Sequence, residues 1–438
     1  YEIPKRDWSS GRVLFRSAGA MLAGLGFDPF YAAGICLLAN TAPVAFGSIG
    51  IPVITLANVT GLPLPQLSAM VGRLCALVSV FIPAYLLVVM AGRKRALEVL
   101  PAIVACGVSF AGMQFIVSNY VGAELTDIMS SLTCIIVMIA VLKLWKPASI
   151  MRLEHDRPAA ATVERRTGRE LLLAWLPYLL LVVFVLLWGE PGIKKAIDTW
   201  TNGLLPAAFP INASTLNGLN VPGLHNMIQR VPPVTSSPAP YAAVFTFNWL
   251  SASGTACVLA TITAALLLGI APRRVVKAYR DTFSQLSYAM VTIASMLALA
   301  YLMNYSGMTS TLGLALASTG SAFPFFSAVV GWMGVFLTGS DTSANALFGN
   351  LQVVTANALQ LSPILTASVN SAAGVMGKMI SIQSIAVAVA ATGMTAADES
   401  RLFRFTIRHS VVLMAVMGLM SLVFAYVVPH WVPALPPK

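Results

Sequence analysis

The fold is decided by one polar run inside the apolar stretch 324–359, which reads Leu337-Thr338-Gly339-Ser340-Asp341-Thr342-Ser343-Ala344-Asn345. Polar groups that face lipid find no water to bond with, so this run is unfavourable in the middle of a spanning helix. The same residues suit the tip of a re-entrant hairpin that lines a polar cavity. The sequence therefore predicts that 324–359 enters and leaves the membrane on one side.

The positive charges around this stretch support the same interpretation. Cytoplasmic loops of membrane proteins are enriched in Lys and Arg, so the clusters at 93–95, 273–280 and 401–408 are predicted to lie inside. Three apolar stretches separate the last two clusters: 284–303, 324–359 and 363–392. Three full crossings would place Arg401 outside, so one stretch must return to its own side.

The composition is that of a membrane protein. Hydrophobic residues make up 57% of the 438 positions and charged residues 10%, with a mean hydropathy of +0.80. A soluble domain carries about 25% charged residues, so lipid is the solvent that suits this chain. The net charge of +11 lies in short clusters between apolar runs, which argues against nucleic-acid binding. Full crossings are predicted at 67–90, 98–119, 127–145, 170–188, 249–271, 284–303 and 410–428.

The predicted fold is an all-α polytopic membrane protein, an inverted-repeat secondary transporter with a re-entrant hairpin and discontinuous helices. An N-terminal membrane half at 18–145 is followed by a cytoplasmic linker at 146–169 and a C-terminal membrane half at 170–438. The segment 190–245 is rich in Pro, Gly, Asn and Ser, and it is predicted to lie outside, with short interfacial helices such as 192–205.

Two short motifs in the two halves echo each other. One reads Asn40-Thr41-Ala42-Pro43-Val44-Ala45-Phe46-Gly47, and the other Asn370-Ser371-Ala372-Ala373-Gly374-Val375-Met376-Gly377. Interrupted hydrophobic segments at corresponding places in two halves indicate the binding site of a transporter. Both motifs are therefore expected to unwind a membrane helix.

An unwound helix offers its free N–H groups and the positive end of its dipole to an anion. Short polar side chains add hydrogen bonds without a fixed charge, so a carboxylate such as lactate would be held and released again. The predicted binding residues are Asn40, Thr41, Ser340, Thr342, Ser343, Asn345, Asn370, Ser371 and Lys378. Asp341 is the predicted proton-coupling residue, because intramembrane carboxylates are functional candidates. Tight helix packing by the small residues remains the alternative.

Several charged or reactive residues carry weaker signals. Arg73 falls inside the predicted crossing 67–90. Glu124 and Asp127 lie at the start of the crossing 127–145 and are expected to cap that helix. The cysteines and histidines have no metal-ligand spacing, and no nucleophile–base pair or phosphate loop is visible. The sequence therefore predicts no metal, no cofactor and no enzyme.

Long motifs across the chain resemble the L-lactate permease family. They are Gly24-Leu25-Gly26-Phe27, Tyr31-Ala32-Ala33-Gly34, the Asn40 motif, Pro232-Pro233-Val234, Tyr241-Ala242-Ala243-Val244-Phe245, Phe336-Leu337-Thr338-Gly339-Ser340-Asp341-Thr342 and Gly377-Lys378-Met379-Ile380-Ser381-Ile382-Gln383-Ser384-Ile385-Ala386. The resemblance implies a multi-pass carrier of the bacterial inner membrane that takes up L-lactate, D-lactate and glycolate with protons. It also implies inverted repeats with re-entrant hairpins. Residues 1–17 are unlike the family's sequence before Gly24, where members carry additional N-terminal segments.

The functional prediction is a proton-coupled symporter of 2-hydroxy monocarboxylates, with the anion, protons and the lipid bilayer as its partners. A passive anion channel, a membrane-embedded enzyme and a truncated, inactive permease are the alternatives.

Overall fold

The computed structural model describes residues 18–23, 26–147, 167–202, 212, 217–232, 234–235 and 237–435. The atypical stretch 1–17 and most of the predicted linker 146–169 lie outside these residues. The described chain is almost entirely helical, and the prediction of an all-α polytopic membrane protein is confirmed.

Most helices follow one another with short connections, and the two long ones are 145–167 and 203–252. In chain order the helices are α1 (Pro29–Ala39), α2 (Gly47–Thr60), α3 (Leu64–Glu98), α4 (Leu100–Tyr120), α5 (Thr126–Leu144), α6 (Gly168–Gly189), α7 (Pro191–Asn202), α8 (Ser253–Leu267), α9 (Pro272–Ser306), α10 (Met308–Leu316), α11 (Phe323–Thr338), α12 (Asp341–Ala358), α13 (Pro363–Lys378), α14 (Ile382–Thr392) and α15 (Glu399–Leu422).

Within the described residues, six helical segments are long and apolar enough to cross a membrane: Leu64–Glu98, Leu100–Tyr120, Thr126–Leu144, Gly168–Gly189, Met308–Thr338 and Glu399–Val427. A seventh span is available if α13 and α14, which are bent by 42°, are taken together. The predicted crossing 249–271 contains only the 15-residue helix α8, which is shorter than the roughly 20 residues of a full crossing.

The contacts divide the chain into two compact units, one of residues 163–281 and one of the remaining residues on both sides. The boundary falls inside α9. The predicted division into halves 18–145 and 170–438 stays a prediction.

The unit 163–281 contains the strands that the sequence analysis did not foresee. β1 (Gly218–Asn220) pairs antiparallel with β4 (Val244–Thr246), and β2 (Gln229–Arg230) pairs antiparallel with β3 (Ala239–Pro240). The helix α7 confirms the short helical piece predicted near 192–205. Buried Asn217 ties β1 to α7, since its Nδ2 donates to Asp198 Oδ1 over 3.0 Å.

In the larger unit, α11 and α12 form the hairpin that the polar run predicts. Gly339 ends α11 in the left-handed region with φ of 67°, and Ser340 caps α12 by accepting from the Ser343 N–H over 3.3 Å. Contacts are symmetric about this turn: Gln352 donates to the Ser327 carbonyl, and Gly334 lies against Ala344. Such pairing requires antiparallel arms, so α11 and α12 form a helical hairpin. Its entry and exit on the same side of the membrane stay a prediction.

The arm α11 runs parallel to α13. Ser327 donates to the Thr366 carbonyl, Gly331 lies against the Asn370 backbone and Val335 against Gly374, a constant offset along both helices. The hairpin tip at 339–340 therefore lies level with the end of α13, where residues 379–381 separate α13 from α14. Gly339 confirms this level because it lies against Gln383 in the first turn of α14.

A second break separates α1 from α2. Residues 40–43 form turns, Val44–Phe46 forms a 3-10 turn, and Ile49 and Gly50 have φ of 62° and 71°. A β-branched residue such as Ile49 rarely adopts this conformation, which marks local strain. Gly50 has a packing reason as well, since a Cβ there would lie 2.8 Å from the Ala123 backbone. Discontinuous helices are thus present at two places.

Candidate functional site

Four of the predicted site residues form one buried hydrogen-bond network. Ser371 Oγ donates to Asp341 Oδ2 over 2.7 Å, and Asn345 Nδ2 lies 3.0 Å from Ser371 Oγ. Asn370 Nδ2 donates to Asn345 Oδ1 over 2.9 Å. Asp341 is 3% exposed and the other three side chains are fully buried. The structure therefore brings Asp341, Asn345, Asn370 and Ser371 together between α12 and α13.

The network continues through residues that the sequence analysis missed. Gln352 Nε2 donates to Asn370 Oδ1 and to the Ser327 carbonyl, each over 3.1 Å, and Thr366 Oγ1 donates to the Gln352 carbonyl over 3.2 Å. The spacing of Asp341, Asn345 and Gln352 places all three on one face of α12, a helical periodicity that could have identified Gln352.

The network also reaches the first broken helix. Asn345 Nδ2 donates to the Pro52 carbonyl over 3.1 Å, and one turn later Gly349 lies against Leu56. Equal spacing in both pairs means that α2 and α12 run parallel, with their N-terminal ends side by side. Each N-terminus carries free N–H groups and the positive end of a helix dipole. Two such ends beside one polar cluster favour an anion.

Asp341 is not satisfied by this network alone. Its Oδ1 is buried and has no hydrogen-bond partner among the described residues. Gly374 faces this oxygen, and only a residue without a side chain leaves it room, since a Cβ would lie 2.7 Å from Oδ1. The charge of half-buried Lys378 acts on Asp341 without a direct ion pair between them in the described structure.

The remaining hairpin candidates lie around the turn. Ser340 uses its hydroxyl as the cap of α12, Ser343 is buried and supplies the capped N–H, and Thr342 is half-buried in the same first turn. These three residues place backbone donors next to Asp341. Ser340, Thr342 and Ser343 are next to Asp341 in the chain, but their side chains make no hydrogen bond to the Asp341 network within the described structure.

Asn40 and Thr41 lie at the break between α1 and α2, as predicted. Thr41 Oγ1 donates to the Leu38 carbonyl over 2.7 Å, and the backbone N–H of Asn40 donates to the Cys36 carbonyl. Neither side chain is hydrogen-bonded to the Asp341 network within the described structure. The loop after them is instead held by Gln114, whose Nε2 donates to the Ala42 carbonyl over 3.0 Å.

The predicted unwinding at Asn370 is wrong, because α13 continues without a break from Pro363 to Lys378. The polar side chains of Asn370 and Ser371 bond to α12, so they do not compete for the backbone bonds of their own helix. Gly374 and Gly377 serve close packing, each lying against α11. The break falls at residues 379–381 instead, where Ser381 caps α14 by accepting from the Ser384 N–H.

A polar hairpin tip beside two broken helices, among apolar spans, is typical of membrane transporters. Residues 16–428 match the L-lactate permease family. The chain belongs to this family, as the sequence resemblance indicated, and the family is one of permeases rather than enzymes.

Proteins similar to this chain are named as permeases of lactate or of glycolate. The chain is 44% identical to the L-lactate permease of Bacillus subtilis over 94% of its length and 75% of the relative. It is 42% identical to the glycolate permease GlcA of Escherichia coli K12, over 93% of the chain and 73% of the relative. The L-lactate permease of the same strain is 41% identical, over 94% and 74%. No solved structure matches.

Proposed function

We propose that this protein takes up L-lactate and related 2-hydroxy monocarboxylates, including D-lactate and glycolate, together with protons across the bacterial inner membrane. The names of its relatives support lactate and glycolate as substrates, and their bacterial origin supports the inner membrane. The observation that carries the proposal is the meeting of two parallel helix N-termini beside the Asp341 network.

This arrangement suits a small carboxylate for a physical reason. Backbone N–H groups of α2 and α12 provide donors, and the aligned dipoles supply a partial positive charge. Such a site binds an anion without a fixed ion pair, so the anion can also leave. Ser340, Thr342 and Ser343 lie at the first turn of α12 beside Asp341, while Asn40 and Thr41 lie in the break before α2.

Asp341 is the residue that we assign to the proton. A buried carboxylate with one unpartnered oxygen is unfavourable when charged, because burial removes its water without replacing every hydrogen bond. Protonation of that oxygen relieves the cost, and substrate arriving at the neighbouring helix ends would favour it. Lys378 acts as the electrostatic partner that keeps the ionised form accessible.

The experiment is lactate uptake into membrane vesicles under an imposed pH gradient, inside alkaline. The Asp341→Asn variant should lose accumulation against a gradient, whereas Asp398→Asn, which changes a loop carboxylate bonded to Thr395, should behave as the unchanged protein. Full accumulation by Asp341→Asn would remove the coupling assignment. Counterflow of labelled lactate separates a carrier from a passive channel, because a channel shows no stimulation by unlabelled lactate on the other side.

A further inference from the structure

Asp127 is a second carboxylate with a buried oxygen, and the proposed site does not use it. It lies in the first turn of α5, where the sequence suggested a helix cap. The N-cap position is Leu125, and no side chain caps the helix. Asp127 Oδ1 is buried and has no hydrogen-bond partner among the residues that the structure describes. Capping therefore does not explain this carboxylate.

Asp127 follows a segment that packs on the same helix α2 that the Asp341 network reaches. The Ala123 backbone, four residues before it, packs on Gly50 in the strained first turn of α2. Cys75 of α3 lies within electrostatic range of both Asp127 and Asp341. Both carboxylates are therefore near enough to Cys75 for their charges to act on it.

The surroundings of Asp127 differ from those of Asp341 in charge. The positive charge of Lys378 acts on Asp341, whereas no cation among the described groups acts on Asp127. Arg73, two residues before Cys75, is engaged elsewhere: its Nε donates to Asn119 over 2.9 Å, and its Nη1 donates to the Trp431 carbonyl. Glu124 is the other acidic group nearby, and α2 carries no titratable side chain. An ionised Asp127 would keep one buried oxygen without a hydrogen bond or a neighbouring cation, which is costly.

We infer that Asp127 is a second proton-carrying residue of the transport cycle, so that each monocarboxylate anion enters with two protons. One proton is bound at Asp341 and one at Asp127 on the outside, and both are released to the cytoplasm. This inference rests on the proposed symport. One proton with one anion moves no net charge, whereas two protons move one positive charge inward.

Membrane potential therefore tests the inference. With equal pH on both sides and a potassium diffusion potential set by valinomycin, inside negative, the unchanged protein should accumulate lactate. The limit for one charge is up to about 50-fold at 100 mV. Asp127→Asn should lose this accumulation but keep accumulation driven by a pH gradient. Asp127→Glu, which retains a carboxyl group, should restore it.

The control is Glu124→Gln, which neutralises the neighbouring loop carboxylate and should leave both responses unchanged. If the unchanged protein accumulates lactate with a pH gradient but does not respond to the membrane potential, the claim of a second proton is overturned. The proposed symport with one proton then still stands. Accumulation driven by potential in Asp127→Asn would overturn the second proton as well. Loss of counterflow in both Asp127 variants would make the residue structural and end the inference. No lactate uptake at all in the unchanged protein would instead refute the proposed function.

Discussion

Asp341 is held by side chains of its own unit rather than by a counter-ion. Ser371 and Asn345 bond to one carboxylate oxygen, and the other oxygen faces the bare backbone of Gly374. The absence of a side chain at Gly374 therefore allows the Asp341 carboxylate to occupy its observed position. A proton acceptor in a transporter has to change its bonding during the cycle, so free room beside it matters as much as its partners.

Gly374→Ala is expected to disturb this carboxylate without removing any polar group. The new Cβ would lie 2.7 Å from both Asp341 Oδ1 and Val335 Cγ2, and overpacking of this kind costs about 1–3 kcal/mol. Because the cost falls on the conformation that holds Asp341 in place, the population of that conformation and the initial rate of lactate uptake should fall roughly 10-fold per 1.4 kcal/mol. Gly112→Ala is the matched control, because nothing lies within 4 Å of its Cβ position in α4. Equal initial rates of uptake in the two variants would contradict the crowding argument.

At the scale of elements, the hairpin depends on one left-handed turn. Gly339 has φ of 67°, as Gly393 has φ of 75° at the end of α14. A Cβ at Gly339 would lie 2.5 Å from Gln383 Oε1, but nothing lies within 4 Å at Gly393. The two glycines share the backbone requirement and differ only in what surrounds them.

Both Gly339→Ala and Gly393→Ala should lose about 1–2 kcal/mol of stability from the left-handed conformation. Only Gly339→Ala should also lose lactate transport, because its methyl group pushes the hairpin tip away from α14. Thermal unfolding in detergent measures the first effect and vesicle uptake the second. Adding Gln383→Ala to Gly339→Ala should recover part of the uptake; if it does not, the contact with Gln383 is not what the tip requires.

The sequence predicted the turn between α11 and α12, while the return of 324–359 to its own side of the membrane stays a prediction. Charge parity required one stretch to return, and Gly339 with Ser340 supplied the left-handed turn and the cap. The similarity of the Asn40 and Asn370 motifs gave a wrong prediction of unwinding at Asn370, because a motif of Asn, Ser and Gly can either interrupt a helix or let helices pack closely. Pro43 lies in a true break, whereas the small residues of α13 let neighbouring helices approach closely.

The site could be predicted in part for a similar reason. One continuous polar run contains both Asp341 and Asn345, so the sequence predicts them together. Contacts between distant elements leave no local pattern. The bond from Asn345 to the Pro52 carbonyl and the isolation of Asp127 depend on how α2, α5 and α12 pack, and no spacing in the chain encodes that.

At the scale of the whole molecule, the hairpin makes a topological prediction. Positive loops place the 93–95 and 401–408 clusters inside, so the loop between α12 and α13 should lie outside and the loop before α15 inside. Ala358 and Ala397 are exposed residues next to these two loops. Ala358→Cys should react with a membrane-impermeant maleimide in intact cells, and Ala397→Cys only after permeabilisation, with the unchanged protein as the blank. The reverse labelling would show that 324–359 crosses the membrane fully.

The hydrogen bonds of Asn345 have a consequence for motion. Its amide group bonds to the Pro52 carbonyl of α2 and to Ser371 and Asn370 of α13. Gly331 of α11 packs directly on the backbone of α13 at Asn370. Separating any one of these helices breaks several buried bonds at once. The four helices should consequently travel as a single rigid body, so opening to either side of the membrane has to come from sliding at the outer surface of that body, with the bound anion carried inside it.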